Sequence, residues 1–436
     1  MNRALPLLLS LVPALVALPT LSDPWGNSEE SLNAAIWSLG AKNLVELGPS
    51  PSLRGARVSP HGGTKGDGVY AHHPPLPVWL SVLALPAPEV GVRLLGLACV
   101  TASLLLLHRL LRRFFEPRVA LVGLAAAASS VFALRYGRLF TTLTLAAPLY
   151  LALVVALVEQ WRERWVLPLV AALVLSSWDG VVAAAAAVLW LRRPAPAAVL
   201  AATLAFVVWH LTDAAGGVQG LVWQFRWRAA GDAVTWLQWA QGQARMVGEG
   251  VGPVSLLALL VVPKQHRRTL LMLLVPGVVM LLVFRQGAVR HAFWGYNLVF
   301  PAAFAVAAAV TRWPRAGAAL ALAQALVLVP VAVWRLQEEH VQNDALGRVA
   351  KTLPKGGEVA VFSARSFHPY VAWYAGAKPL TVRTVAELNA ASQEVLLVDT
   401  FHAGAVGCAL RPGPRWQVVG RAALGCKPPG YSAEGL

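Results

Sequence analysis

The chain has 436 residues, of which 57% are hydrophobic and only 13% charged, against roughly 25% charged in soluble domains. Apolar stretches recur along most of the length, which excludes a soluble globular protein and makes this a polytopic membrane protein in a lipid bilayer. The net charge of +16 would suggest nucleic acid in a soluble chain. Here many Arg and Lys sit in short connections between apolar stretches, where they set topology, so no nucleic acid partner is expected.

Met1–Arg3 followed by apolar Ala4–Leu21 has the outline of a signal peptide, but Leu18–Ser22 is a poor small-residue cleavage site, so an uncleaved first helix with a cytoplasmic N-terminus is expected. About eleven apolar segments follow the chain, at 4–21, 90–108, 119–134, 139–158, 165–177, 180–191, 195–212, 250–263, 269–284, 296–310 and 316–334. Basic clusters mark alternate connections: Arg109, Arg112, Arg113 and Arg118; Arg162 and Arg164; Arg192 and Arg193; Lys264, Arg267 and Arg268; Arg312 and Arg315. The positive-inside rule makes these cytoplasmic and leaves 22–89, 213–249, 285–295 and everything after 335 on the outer face.

The first outer connection carries the densest chemistry. Glu29 and Glu30 open a stretch whose apolar Leu32, Ile36, Leu39 and Leu47 suit a helix lying along the membrane surface. Only one of two adjacent glutamates can aim into a given cavity, since successive helical residues point about 100° apart. A competing reading makes Asn27 and Glu30 an approximate capping box. The loop closes on His73-Pro-Pro-Leu-Pro-Val-Trp-Leu80, where the chain returns to the membrane.

Residues 165–191 hold two apolar stretches too short to span the roughly 30 Å hydrocarbon core alone. Both ends are basic, so a hairpin of short helices with Ser177-Trp178-Asp179-Gly180 at its tip is expected. A carboxylate at that depth needs a protein-lined or wet cavity, unless Asp179 only caps the second helix. Outer cations are numerous: Arg135, Arg138, Arg285 and Arg290, with Arg226, Arg228 and Arg245 in 213–249. The planar Arg fork suits a phosphate or pyrophosphate, and snorkelling toward lipid headgroups competes for part of the set.

After Trp334 the composition becomes that of a small soluble domain. Glu358–Ser363, Glu394–Asp399 and Trp416–Val419 read as strands, with helical patterns around 367–375 and 384–391. The expected division is therefore a membrane domain, 1–335, and an extracytoplasmic α/β domain, 336–436. An oxidising compartment would allow Cys408 and Cys426 to pair, with two free thiols as the alternative. No CxxC, HExxH, P-loop or dinucleotide fingerprint occurs.

Taken in order, these motifs resemble the GT-C glycosyltransferases, most closely the protein mannosyltransferase and aminoarabinose transferase group. Glu29-Glu30 followed by Leu32-Asn33-Ala34 and Lys42-Asn43-Leu44-Val45-Glu46-Leu47-Gly48 is similar to that group's Asp-Glu motif and trailing helix. His73-Pro-Pro-Leu resembles its Lys-Pro-Pro-Leu, Arg93 its Arg opening the second span, and Arg135-Tyr136 its Arg-Tyr. Ser177–Gly180 resembles its Lys-Trp-x-Gly turn, and His291–Tyr296 its later outer motif. The resemblance implies a polytopic α-helical membrane protein of GT-C architecture in the cell (plasma or inner) membrane. Its implied activity is inverting transfer of a sugar from a polyprenyl-phosphate donor to a lipid, glycan or protein acceptor on the outer face.

It also implies the site: Glu29 and Glu30 as catalytic carboxylates, with His73, Arg93, Arg135, Arg138, Asp179, Arg290 and His291 at the substrates. His73 in place of Lys is largely neutral near pH 7, which weakens a fixed phosphate contact there. No acid follows Arg135-Tyr136, so a second carboxylate would come from Glu29, Asp67 or Asp179. A divalent metal therefore stays an open cofactor. The competing classes are a lipid-linked glycan flippase or polymerase, another polytopic transporter, and a non-catalytic GT-C relative.

Overall fold

The computed structural model describes residues 4–26, 28–48, 56–57, 69–70, 73–214, 217–229, 234–363, 368–409, 415–420 and 423–426. Helix α1 (Ala4–Ala17) leads through a short 3-10 turn into the first connection. That connection holds α2 (Glu29–Leu47), the paired short strands β1 (Ala56–Arg57) and β2 (Val69–Tyr70), and α3 (Leu76–Ser81), which starts on the Pro-Pro-Leu segment. The bundle continues with α4 (Pro88–Phe114), α5 (Pro117–Ala128), α6 (Val131–Tyr136), α7 (Thr142–Val158), α8 (Glu163–Ser176), α9 (Trp178–Leu191) and α10 (Pro194–Ala214). Then come α11 (Val218–Ala229), α12 (Trp236–Val251), α13 (Pro253–Ala258), α14 (Arg267–Val283), α15 (Arg285–Arg290), α16 (Val299–Arg312) and α17 (Pro314–Lys351).

The apolar segments read from sequence map onto these helices, but fewer than eleven are individually long enough to cross a membrane. Among the described residues five qualify: Pro88–Phe114, Pro194–Thr212, Lys264–Val283, Ala292–Arg312 and Pro314–Lys351. Trp236–Val251 with Pro253–Val261, bent by 101°, makes a sixth if counted as one span. The rest are shortened by polar breaks, as at Ser129-Ser130 and Ser177, where hydroxyls cap the next helix instead of letting the previous one continue.

One large apolar core joins α4, α5, α7 and α16 through residues such as Leu107, Leu124, Leu151 and Phe304. On α17, Leu322, Leu326 and Val327 point outward, as expected of a surface covered by lipid. The basic connections gather at one end of the bundle. Arg109 at the end of α4 pairs with Glu159 and lies 5.4 Å over Trp161, Arg268 stacks 3.5 Å over Trp190, and His266 packs against Phe114 and Phe115.

Helix α17 has 38 residues, roughly 57 Å at 1.5 Å per residue, so about half projects past a 30 Å hydrocarbon layer. The boundary placed after residue 335 falls inside it, and the helix runs unbroken into the C-terminal unit. There β3 (Glu358–Phe362), α18 (Pro369–Ala375), β4 (Lys378–Val382), α19 (Val385–Ala390), β5 (Val395–Asp399), α20 (Thr400–Ala405), β6 (Cys408–Ala409), β7 (Trp416–Gly420) and β8 (Gly425–Cys426) follow. The four-stranded sheet has the order β4-β3-β5-β7, with β7 antiparallel to β5 and the other pairs parallel. A Cys408–Cys426 disulfide ties β6 to β8.

This unit does not stand apart. Tyr370, Val371, Val359 and Trp416 share one apolar core with Ile36, Trp37 and Leu39 of α2, Val78 of α3 and Val92 of α4. Trp25 meets Trp373 edge-on at 4.7 Å, and its amide donates to Tyr374 Oη at 2.6 Å. The first connection and the C-terminal unit therefore lie at the same end of the bundle.

Candidate functional site

Helix α2 starts at Ser28, whose hydroxyl accepts from Ser31 N at 3.1 Å. Ser28, rather than Asn27, is thus the cap, and Glu30 takes no part in it. Glu30 turns inward and is 1% exposed. Its two oxygens accept from Arg93 Nε at 2.9 Å and Nη2 at 3.3 Å, and Ser31 Oγ donates to Oε2 at 3.2 Å. Burial by itself would raise this carboxyl, but the charges of Arg93 and Arg138 outweigh it and hold Glu30 below the usual carboxylate range.

Arg93, on α4, has no exposed surface. Beyond Glu30, its Nη1 donates to the carbonyls of Leu21 at 2.9 Å, Asp23 at 2.5 Å and Glu89 at 3.2 Å. Arg138 is equally buried: Nη2 donates to Glu339 Oε2 at 2.8 Å, and Nη1 faces Asp23 Oδ2 at 3.7 Å. Arg135 donates to Glu339 Oε1 at 2.8 Å. His340 Nδ1 lies 2.6 Å from Asp23 Oδ1. Three carboxylates (Asp23, Glu30, Glu339) thus face three guanidiniums (Arg93, Arg135, Arg138), a neutral set in a place too dry for unpaired charge.

Beside this set lies a cavity of about 860 Å³ including its open mouth. Several elements build it. Leu32, Asn33, Ile36 and Trp37 of α2 form one wall, and His73, just ahead of α3, the next. Trp178 and Asp179 arrive from the α8–α9 tip, where Ser177 Oγ accepts from Gly180 N at 2.8 Å. The tip is the expected hairpin turn: Glu163 and Val166 at the start of α8, and Leu191 and Arg193 at and just past the end of α9, line one pocket at the far end. His291, Phe293 and Trp294 close the cavity with Arg228 of α11. A second, more apolar cavity shares Trp178, Arg228 and Phe284 with the first and runs along α11 past Leu221 and Phe225.

Inside, Asn297 Nδ2 donates to Asp179 Oδ2 at 2.8 Å, which fixes the carboxylate. The His291 ring stacks on Trp294 at 6.3 Å, and Trp37 meets His73 edge-on at 6.1 Å. Burial pushes the His73 imidazole down to about 3, with Arg228 and His291 acting in the same direction. His73 is therefore neutral at any physiological pH.

Of the residues singled out from sequence, the cavity brings together His73, Asp179 and His291. Arg93, Arg135, Arg138 and Glu30 sit in the adjoining ionic set instead. The side chains of Glu29 and Arg290, and residues Asn27 and Asp67, lie outside the described residues. At helical spacing, Leu32, Asn33, Ile36 and Trp37 turn one face of α2 to the cavity. Asp23 and Glu339 escaped sequence reasoning, and no local signal marked them; Asn33 entered it only within the stretch that resembles the Asp-Glu motif and its trailing helix. Among the described residues no three His, Cys, Asp or Glu side chains converge to hold a metal ion.

No family model matches the chain, and no curated protein does. Solved structures are similar to it. ArnT from Cupriavidus metallidurans, in a crystal structure bound to undecaprenyl phosphate, is 12% identical with a TM-score of 0.56, over 97% of this chain and 98% of that one. The Archaeoglobus fulgidus oligosaccharyltransferase, in complex with Zn and sulfate, is 13% identical with a TM-score of 0.54, over 92% of this chain and 68% of that one. The same enzyme tethered to an acceptor peptide with the NVT sequon gives 11% and 0.52, over 96% and 74%. At such identities the likeness is one of fold: this chain shares the fold of these structures over most of its length.

Proposed function

We propose that the chain is a membrane glycosyltransferase that moves a sugar from a polyprenyl-phosphate carrier to a lipid, glycan or protein acceptor on the outer face of the cell membrane. The observation that carries this reading is convergence. The Leu32–Asn33 face of α2, His73, Asp179 and His291 come from four separate elements to one cavity, in a fold shared with a protein whose structure holds undecaprenyl phosphate.

In this reading Glu29 takes the proton from the acceptor hydroxyl as its oxygen attacks the anomeric carbon. The bond from that carbon to the carrier phosphate breaks, and the phosphate leaves with the electron pair. Arg228, His291 and position 290 meet the charge that develops on it. His73, held neutral, contributes a ring hydrogen bond rather than a cation. Asp179, fixed by Asn297, takes sugar hydroxyls, while Trp178 and Trp294 offer apolar faces. The apolar cavity along α11 gives the carrier chain a way out toward lipid.

The test uses membranes containing the full chain and a panel of radiolabelled undecaprenyl-phosphate hexoses and pentoses. Label should pass from carrier to an endogenous acceptor. No transfer from any donor, together with uptake of those donors into proteoliposomes, would replace this reading by that of a transporter.

A further inference from the structure

We infer that Glu339, on the projecting half of α17, is a positioning residue for the proposed transfer: with Asp23 and Arg138 it forms a buried clasp that fixes the first turn of α2 against the cavity. The inference rests on the transfer reading for its activity arm, and on geometry alone for the clasp.

Two α17 side chains reach the short segment that leads into α2, and a third is linked to it through Arg138. Glu339 meets Arg138, which faces Asp23; His340 meets Asp23 directly; and Asn343 Oδ1 accepts from the amide of Ser28, the cap of α2. The backbones are pressed together at the same point. A Cβ on Gly26 would lie 2.6 Å from Asn343 Cα, and one on Gly347 would lie 2.4 Å from Pro24 Cβ. The Asp23 carbonyl then accepts from Arg93, which holds Glu30.

The clasp thus sets the height and rotation of α2, and rotation decides which face of α2 lines the cavity. Arg138 carries the other wall with it, since Thr141–Leu143 line the cavity a few residues on. Arg138 has no exposed surface, Glu339 is 5% exposed, and neither lines the cavity, so the guanidinium makes its contacts inside the ionic set and not to a carrier phosphate in the cavity.

The sequence reading offers the rival assignment, in which Arg135 and Arg138 bind the carrier phosphate. A double-mutant cycle separates the two. Glu339→Gln, Arg138→Gln and the double variant are purified in detergent as full chains. Thermal midpoints are read first, then stabilisation by added undecaprenyl phosphate, then transfer rates with the labelled donor panel.

The clasp predicts that each single change lowers the midpoint and that the double variant recovers part of it, because a buried charge left alone costs more than no charge. It predicts unchanged stabilisation by undecaprenyl phosphate. In Glu339→Gln it predicts a fall in kcat of at least about tenfold with the donor KM within about threefold, and Glu339→Asp should restore part of the kcat. Loss of stabilisation by undecaprenyl phosphate in Arg138→Gln would overturn the inference in favour of the phosphate site. Additive midpoints, or a kcat within twofold in Glu339→Gln, would overturn it as well. An inactive wild type with intact midpoint coupling would overturn the transfer reading, and the positioning role with it, while leaving the clasp.

Discussion

Glu29 and Glu30 are neighbours in sequence, but about 100° of helix separates them, and that angle divides their roles. Glu30 is sealed against Arg93, so Glu30→Gln should leave an uncompensated buried guanidinium. A cost of about 3–5 kcal/mol is expected, read as a lower thermal midpoint and poorer accumulation; an unchanged midpoint would contradict the pairing. His73 gives a prediction in pH. Its imidazole stays neutral in the folded chain down to about 3, whereas the unfolded chain takes up a proton near 6.5. Folding therefore loses stability from this group as pH falls below about 6.5. His73→Gln removes that loss, so its midpoint relative to wild type should rise between pH 6.5 and 4. A constant difference would mean that His73 is solvated.

At the scale of elements, the α8–α9 hairpin carries Asp179 and Trp178 into the cavity on a very tight tip. A Cβ at Gly180 would lie 2.1 Å from the Leu173 carbonyl, so Gly180→Ala must displace the tip. Transfer should fall about tenfold or more while the protein still accumulates in membranes. Near-normal rates would remove the tip from the site. This hairpin was legible in the sequence, because two short apolar stretches between basic ends allow little else. So were the strands at 358, 395 and 416, from their β-branched runs. Strand β4 was not, because Lys378-Pro379-Leu380-Thr381-Val382 contains a proline, which is tolerated only because β4 lies at the sheet edge. The ionic set was also illegible. His340 and Asp23 are 317 positions apart, and Arg138 and Glu339 are 201; neither pairing leaves a local pattern. The arginines drew notice as cations, but the carboxylates that neutralise them come from other elements.

For the whole molecule, the helix ends carrying Arg109 and Arg268 and the end carrying the cavity and C-terminal unit face opposite ways, and the positive-inside rule predicts that the latter lies outside. In a Cys99→Ser background, single cysteines at Gly48 and Gly420 should react with an impermeant maleimide in intact cells, while those at Gln160 and Lys264 should not. The reverse pattern would move the cavity to the cytoplasmic face and away from an outer-face acceptor. The central claim is that a carboxylate at position 29 performs the transfer, and its most direct measurement is the transfer rate of Glu29→Gln beside wild type. The change keeps size and most hydrogen bonding but removes the charge. The account predicts a loss of about 10²–10⁴-fold with normal insertion, amount and thermal midpoint. Transfer at near wild-type rate in Glu29→Gln would contradict it.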